Sequence, residues 1–157
     1  MKKAALLCAC MLIVVVAAAA KQGSSRPASE TTQAIVKSYL TIQAALAADR
    51  FEDAKAPAKA LLTQATDLGK DGATLAQAAK AFDASADLKA AREAFGPLSD
   101  AVIARVKADG SKEALAGLRI GYCPMVKRSW LQREEQVKNP YYGTSMLTCG
   151  DLKPVTQ

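Results

Sequence analysis

From Ile35 onward, large apolar side chains recur three or four residues apart against a background of alanine. Ile35, Tyr39, Ile42 and Leu46 fall at i, i+4, i+7 and i+11, and Val36 and Leu40 widen the stripe. That spacing places them on one face of a helix. Alanine favours the helix but buries little apolar surface. A stable fold must therefore pool the few Leu, Ile, Val and Phe side chains of several helices in one core.

The pattern continues down the chain. A second helix is expected from about Arg50 to Leu68, burying Phe51, Ala54, Ala58, Leu61, Leu62 and Ala65. Asp49 and Glu52 stand three apart, the arrangement of a capping box at its start. Pro57 predicts a kink or a late start. A shorter helix is expected near Thr74 to Phe82. Another, from about Ala86, carries Leu88, Ala91, Phe95, Leu98, Val102 and Val106, with a bend or restart at Gly96-Pro97. Asp109-Gly110-Ser111 reads as a stop, and Ser111 as the cap of one more short helix, Lys112 to Leu118. The expectation is an all-α fold: an up-down bundle of three or four helices over residues 31–118, closed by an irregular, Cys-containing cap over 119–157. Short strands near Ile120–Tyr122 and Leu147 fit within that cap.

The N-terminus points to export. Met1-Lys2-Lys3 is followed by an apolar run from Ala4 to Ala17 and by Ala18-Ala19-Ala20. This is the pattern of a signal peptide over residues 1–20. The run is short of the roughly 20 residues of a spanning helix, so no membrane span is expected after cleavage. Residues 21–30 then form a flexible lead-in to a single domain over 31–157. Cleavage removes Lys2, Lys3, Cys8 and Cys10, which leaves 19 basic and 15 acidic residues, a net charge of +4. That charge is mild and dispersed, unlike a nucleic-acid-binding face.

The chain has no histidine. This excludes Ser-His-Asp and Cys-His catalysis, HExxH zinc sites and CxxCH haem attachment. Walker loops, GxGxxG turns and CxxC pairs are also absent, and no acid–base pair is recognisable. The reading is therefore of a protein that is not an enzyme.

The remaining chemistry gathers in Tyr122–Gly150, "YCPMVKRSWLQREEQVKNPYYGTSMLTCG". Cys123 and Met125 are two apart; Met146 and Cys149 are three apart. If the segment folds back on itself, two sulfurs from each end can meet in one site. Thiolate and thioether donors suit Cu(I) or Ag(I) better than hard cations. Lys127, Arg128 and Arg133 would favour the thiolate if they lay close. Trp130 would cover the site or place its ring face over the cation. The same residues support a second reading. Two cysteines in an exported domain often pair, and a Cys123–Cys149 disulfide would staple the segment into a surface for a protein partner.

Particular stretches carry a resemblance: "YLTIQAALAADRFEDA" (Tyr39 to Ala54), "AREAFGPLSDAVI" (Ala91 to Ile103), and above all "YCPM" followed by "WLQ" and "NPYYGTSMLTCG". Together they resemble a small domain family of unknown function. That family occurs at the C-terminus of periplasmic adaptor subunits of RND-type heavy-metal (copper/silver) efflux systems, and as free-standing secreted proteins. The resemblance implies a helical bundle, a periplasmic or secreted location and a link to copper or silver, with heavy-metal efflux components as partners. Its motif falls on Cys123, Met125, Trp130, Asn139, Tyr141, Gly143, Met146 and Cys149. It favours Cys123, Met125, Met146 and Cys149 as metal donors, supported by Trp130, Asn139, Tyr141 and Gly143. The linker "VKRS" between "CPM" and the tryptophan is shorter and more basic than is usual in the family.

Overall fold

A computed structural model describes residues 28–155. The expected signal peptide at 1–20, the first part of the lead-in (21–27) and the last two residues lie outside the described residues. Five helices come first: α1 (Ala28–Ala47), α2 (Phe51–Asp67), α3 (Ala73–Asp83), α4 (Leu88–Asp109) and the short α5 (Lys112–Leu115). Three strands follow: β1 (Arg119–Cys123), β2 (Arg128–Gln132) and β3 (Asp151–Pro154).

The helices close into a ring. α1 packs on α2 and α4, α2 on α3, and α3 on α4. The stripe of Ile35, Tyr39, Ile42 and Leu46 is fully buried, as are Leu61, Phe95, Leu98, Val102 and Val106. Helix ends follow local chemistry. The Asp87 carboxylate accepts from the Ala90 amide at 2.8 Å and caps α4. Gly110 ends that helix in the left-handed conformation, at φ 60°. The Ser111 hydroxyl accepts from the Ala114 amide at 3.2 Å, although α5 stops at Leu115.

Three expectations fail in instructive ways. The fold is not all-α, because a three-stranded antiparallel sheet in the order β2-β1-β3 stands where an irregular cap was expected. Its third strand is Asp151–Pro154; Leu147 lies in a turn. The sheet was hard to see because β2 lacks period-two alternation: Trp130, Leu131 and Gln132 are buried in succession. Second, α4 continues through Gly96-Pro97 without a break. The missing side chain at Gly96 makes room for Arg128, whose Nε would sit 3.3 Å from a Cβ built there. Third, Asp49 does not cap α2. Arg50 occupies that position and makes no side-chain cap bond.

The sheet is joined to the bundle through its edge. In the β1–β2 register Tyr122 faces Ser129 and Ile120 faces Leu131. The Ser129 carbonyl and Leu131 amide point away from β1, into the bundle. Tyr39 on α1 accepts from the Leu131 amide at 3.1 Å. Its hydroxyl lies 2.6 Å from the Ser99 hydroxyl on α4. Ser99 donates to the Ser129 carbonyl at 2.9 Å, and the Tyr141 hydroxyl donates to the same carbonyl at 2.7 Å. Three hydroxyls thus satisfy backbone groups that water cannot reach. Burial drives the Tyr39 and Tyr141 hydroxyls far above the ordinary tyrosine range, so both remain protonated donors. Around them runs an aromatic chain: Phe82 to Phe95 at 6.4 Å, Phe95 to Tyr141 at 5.5 Å, and Tyr141 to Trp130 at 6.2 Å, all edge-on.

Removing the Tyr39 hydroxyl leaves the buried Leu131 amide without a partner. Tyr39→Phe should cost about 1–3 kcal/mol in urea unfolding. Ser99→Ala should add less than its separate cost in the double variant, because the two hydroxyls share one network. Strict additivity would mean the hydroxyls act independently.

Candidate functional site

β1 and β3 bring the two ends of the sulfur-bearing segment together. Their register pairs Gly121 with Leu152 and Tyr122 with Asp151. The ladder ends there, with Cys123 following Tyr122 on one strand and Cys149-Gly150 preceding Asp151 on the other. Gly150 has φ 128°, and a Cβ there would lie 2.6 Å from the Tyr122 carbonyl oxygen and 3.0 Å from Trp130 Cη2. Only a residue without a side chain lets the chain come this close. Cys123 is fully buried on the face of β1 that carries Gly121; Cys149 is half-buried, and both are free thiols.

The loop that carries Met146 and Cys149 is fixed by its neighbours. Asn139 is fully buried. Its Nδ2 donates to the Cys149 carbonyl at 2.8 Å, its backbone amide donates to the Leu147 carbonyl at 2.8 Å, and its Oδ1 accepts from the Tyr141 amide at 2.8 Å. One side chain therefore sets both the turn into Tyr141 and the position of Cys149. The Cys149 amide bonds the Met146 carbonyl at 3.1 Å, so the two residues share one tight turn.

The other end of this loop rests on an ion pair. Arg92 on α4 pairs with Asp49 and also donates to the Leu46 carbonyl at 3.0 Å and the Pro140 carbonyl at 3.2 Å. Asp49 accepts from the Thr144 amide at 3.2 Å and from the Thr144 hydroxyl. Gly143 sits directly over this pair at φ 57°, where any Cβ would collide with Asp49 Oδ1 and Arg92 Nη2. Arg92 thus ties the end of α1, α4 and the motif loop together. The hydrogen bond from Thr144 holds the Asp49 carboxyl below the usual carboxylate range; partial burial opposes this, and Arg92 reinforces it.

The remaining motif residues divide by exposure. Met125 stands out on the β1–β2 turn, 61% exposed. Trp130 is fully buried; its ring lies flat on Gly121, and its indole N–H donates to Gln132 Oε1 at 2.8 Å. Gln132, also buried, accepts from the Lys138 amide at 3.0 Å and donates to the Glu134 and Gln136 carbonyls at 2.9 and 2.7 Å. Arg128 lies opposite Cys123 in the ladder, but its guanidinium pairs with Asp100 on α4. The segments bearing Cys123 and Cys149 are therefore adjacent, Met146 shares a turn with Cys149, and Met125 sits apart on the hairpin tip. Among the described residues, no three or more His, Cys, Asp or Glu side chains cluster to hold a metal. The available donor set is two thiols and two thioethers, which is soft in character.

The sequence reading missed Asp49, Arg92, Thr144 and Ser99 as parts of this framework. Arg92 and Ser99 lie inside "AREAFGPLSDAVI", where apolar periodicity drew attention to their neighbours instead.

Two outcomes test the loop supports. Gly143→Ala meets both a left-handed φ and the ion pair, so it should lower Tm more than Gly117→Ala, whose φ is 65° but which has open space around it. Asp49 has a lowered folded pKa. Its stabilising effect is present in full above the ordinary carboxylate value of about 4 and is lost as pH falls through the lower folded value. Thermal melts at pH 6 and pH 3 should therefore show a smaller acid loss for Asp49→Asn than for the parent chain.

No curated protein and no solved structure matches the chain. A family model described as a protein of unknown function (DUF3347) matches residues 35–114. The match begins on the α1 stripe and ends in α5, so it covers the helical ring and stops before β1 and the sulfur-bearing segment. By that match over half its length, the chain belongs to the DUF3347 family of proteins of unknown function.

Proposed function

We propose that this chain is an exported, non-enzymatic protein that handles a soft metal ion, Cu(I) or Ag(I), as its cargo. Cys123 and Cys149 are the principal donors, Met146 adds a thioether from the same turn as Cys149, and Met125 offers one from the hairpin tip. The observation that carries the reading is the β1–β3 pairing, which sets the chain at Cys123 beside the chain entering from Cys149, with both thiols free. Asn139 and Gly143 shape the donor loop, and Trp130 covers its inner side. The resemblance of "YCPM" and "NPYYGTSMLTCG" to domains of copper and silver efflux adaptors supports the same metals. It also supports a role in buffering the ion or passing it to an efflux system.

The donors differ in exposure, and this suits a carrier. A buried thiol is shielded from competing water, while an exposed thioether gives the ion a way in and out. Thiolates bind Cu(I) more strongly than thioethers do, so the cysteines should dominate affinity.

Competition of the reduced chain against a Cu(I) chelator of known affinity tests this. The parent chain should withdraw Cu(I) from the chelator. Cys123→Ser and Cys149→Ser should each weaken binding at least tenfold, and Met125→Leu less. Failure to compete, or competition unaffected by both serine variants, contradicts the proposal.

A further inference from the structure

Cys123 and Cys149 differ in a way that metal coordination alone does not use. Cys123 is fully buried within the hydrophobic core, whereas Cys149 is half-buried. Both are free thiols. The last rung of the β1–β3 ladder is Tyr122–Asp151. Cys123 follows Tyr122 directly, and Cys149 lies two residues before Asp151. Antiparallel partners stand about 5 Å apart, within the Cα separation that a disulfide spans. Gly150 keeps the chains close beyond that rung: a Cβ built there would lie 2.6 Å from the Tyr122 carbonyl oxygen.

The loop holds its place without a bond between the sulfurs. Asn139 donates to the Cys149 carbonyl at 2.8 Å, and Asp49 accepts from the Thr144 amide and hydroxyl. The hydroxyls of Tyr39, Ser99 and Tyr141 seat the sheet on the helices independently of either cysteine. A fold that stands with its thiols reduced can make and break the bond and keep its shape. That separates a switch from a staple, on which folding itself depends.

Resting on the soft-metal reading above, we propose that Cys123 and Cys149 form a thiol–disulfide switch that closes the metal site on oxidation. The oxidant is itself a disulfide, carried by a small thiol or by an oxidoreductase. The Cys149 thiolate attacks one sulfur of that disulfide and expels the other as a thiolate, which leaves a mixed disulfide on Cys149. The Cys123 thiolate then attacks Cys149 Sγ and expels the second thiolate. One Cys123–Cys149 bond forms and the oxidant's bond breaks. The oxidant gains two electrons, and the two protons lost by the cysteines pass through water to the expelled thiolates. The exposures fit these roles: half-buried Cys149 meets the oxidant, and buried Cys123 resolves the mixed disulfide. The bond consumes both thiolates, so only the Met125 and Met146 thioethers remain and the ion is released. A bound ion occupies both sulfurs and so protects them.

The test uses the full chain carrying Cys8→Ser and Cys10→Ser, treated with glutathione disulfide in the absence of metal. Tryptic mapping should find the Cys123 and Cys149 peptides joined, and dithiothreitol should separate them. With Cys123→Ser added, glutathione should stay on Cys149; with Cys149→Ser added instead, Cys123 should stay unmodified. In chelator competition the oxidised chain should hold Cu(I) at least tenfold more weakly than the reduced chain, and Cu(I) loading should slow formation of the bond. Glutathione left on Cys149 with no joined peptide, or equal competition by the oxidised and reduced chains, would overturn the proposal. So would a reduced chain whose amide spectrum has lost its dispersion, because the bond would then be a staple. A reduced, folded chain that fails to compete for Cu(I) contradicts the metal reading and the gating with it; a joined peptide that forms all the same tells that failure from one of the switch alone.

Discussion

The free edge of β2 is the constraint on which the rest of this structure depends. A strand edge presents unpaired amides and carbonyls, and burying them without partners costs several kcal/mol. Here the edge is pressed onto α1 and α4, where the hydroxyls of Tyr39, Ser99 and Tyr141 complete its hydrogen bonding. That contact fixes where the sheet sits on the helical ring. It also fixes where β1 lies, and β1 in turn pairs with β3 and sets the two ends of the sulfur-bearing segment side by side.

A second set of supports works from the opposite end of the same loop. Arg92 reaches the last turn of α1, the Asp49 carboxylate and the Pro140 carbonyl from one guanidinium. Gly143 fits over that ion pair, and Asn139 holds Cys149 by its carbonyl. The loop bearing Met146 and Cys149 is thus anchored to the bundle at one end and to the inner part of the motif at the other. Ordering these groups during folding, rather than on binding, would lower the entropy cost of taking up the proposed ion. The hairpin tip is the opposite case. It carries exposed Met125 and Val126.

The helical part of the fold was legible because its physics is local. The α1 and α4 stripes follow helical spacing closely, and Gly110 and Ser111 mark the end of α4 and the cap of α5 through residue-specific chemistry. Of the sheet only the strand near Ile120–Tyr122 was legible, and β1 stands there; β2 and β3 were not, for the converse reason. β2 is buried on successive residues because both of its faces are covered, Leu131 by the helical core and Trp130 by Gly121 and Tyr141, and that pattern has no period a single segment can reveal. Asp49 illustrates the same limit. Locally it has the spacing of a helix cap, but Arg92, 43 residues away, and Thr144, 95 residues away, claim its carboxylate. Gly96-Pro97 reads locally as a break, yet the helix continues and the glycine makes room for Arg128. The residue types of the candidate site were visible in the motif, whereas its supports on α1 and α4 depend on contacts no short window contains.

The central claim is that the sheet gathers sulfur donors from both ends of one segment around a soft ion. X-ray absorption at the copper edge of the Cu(I)-loaded chain tests it directly. The account predicts an inner shell made of sulfur alone, with fewer sulfur neighbours in the Cys149→Ser chain. A shell of nitrogen or oxygen, or a sulfur shell that does not change when Cys149 is replaced, would contradict it.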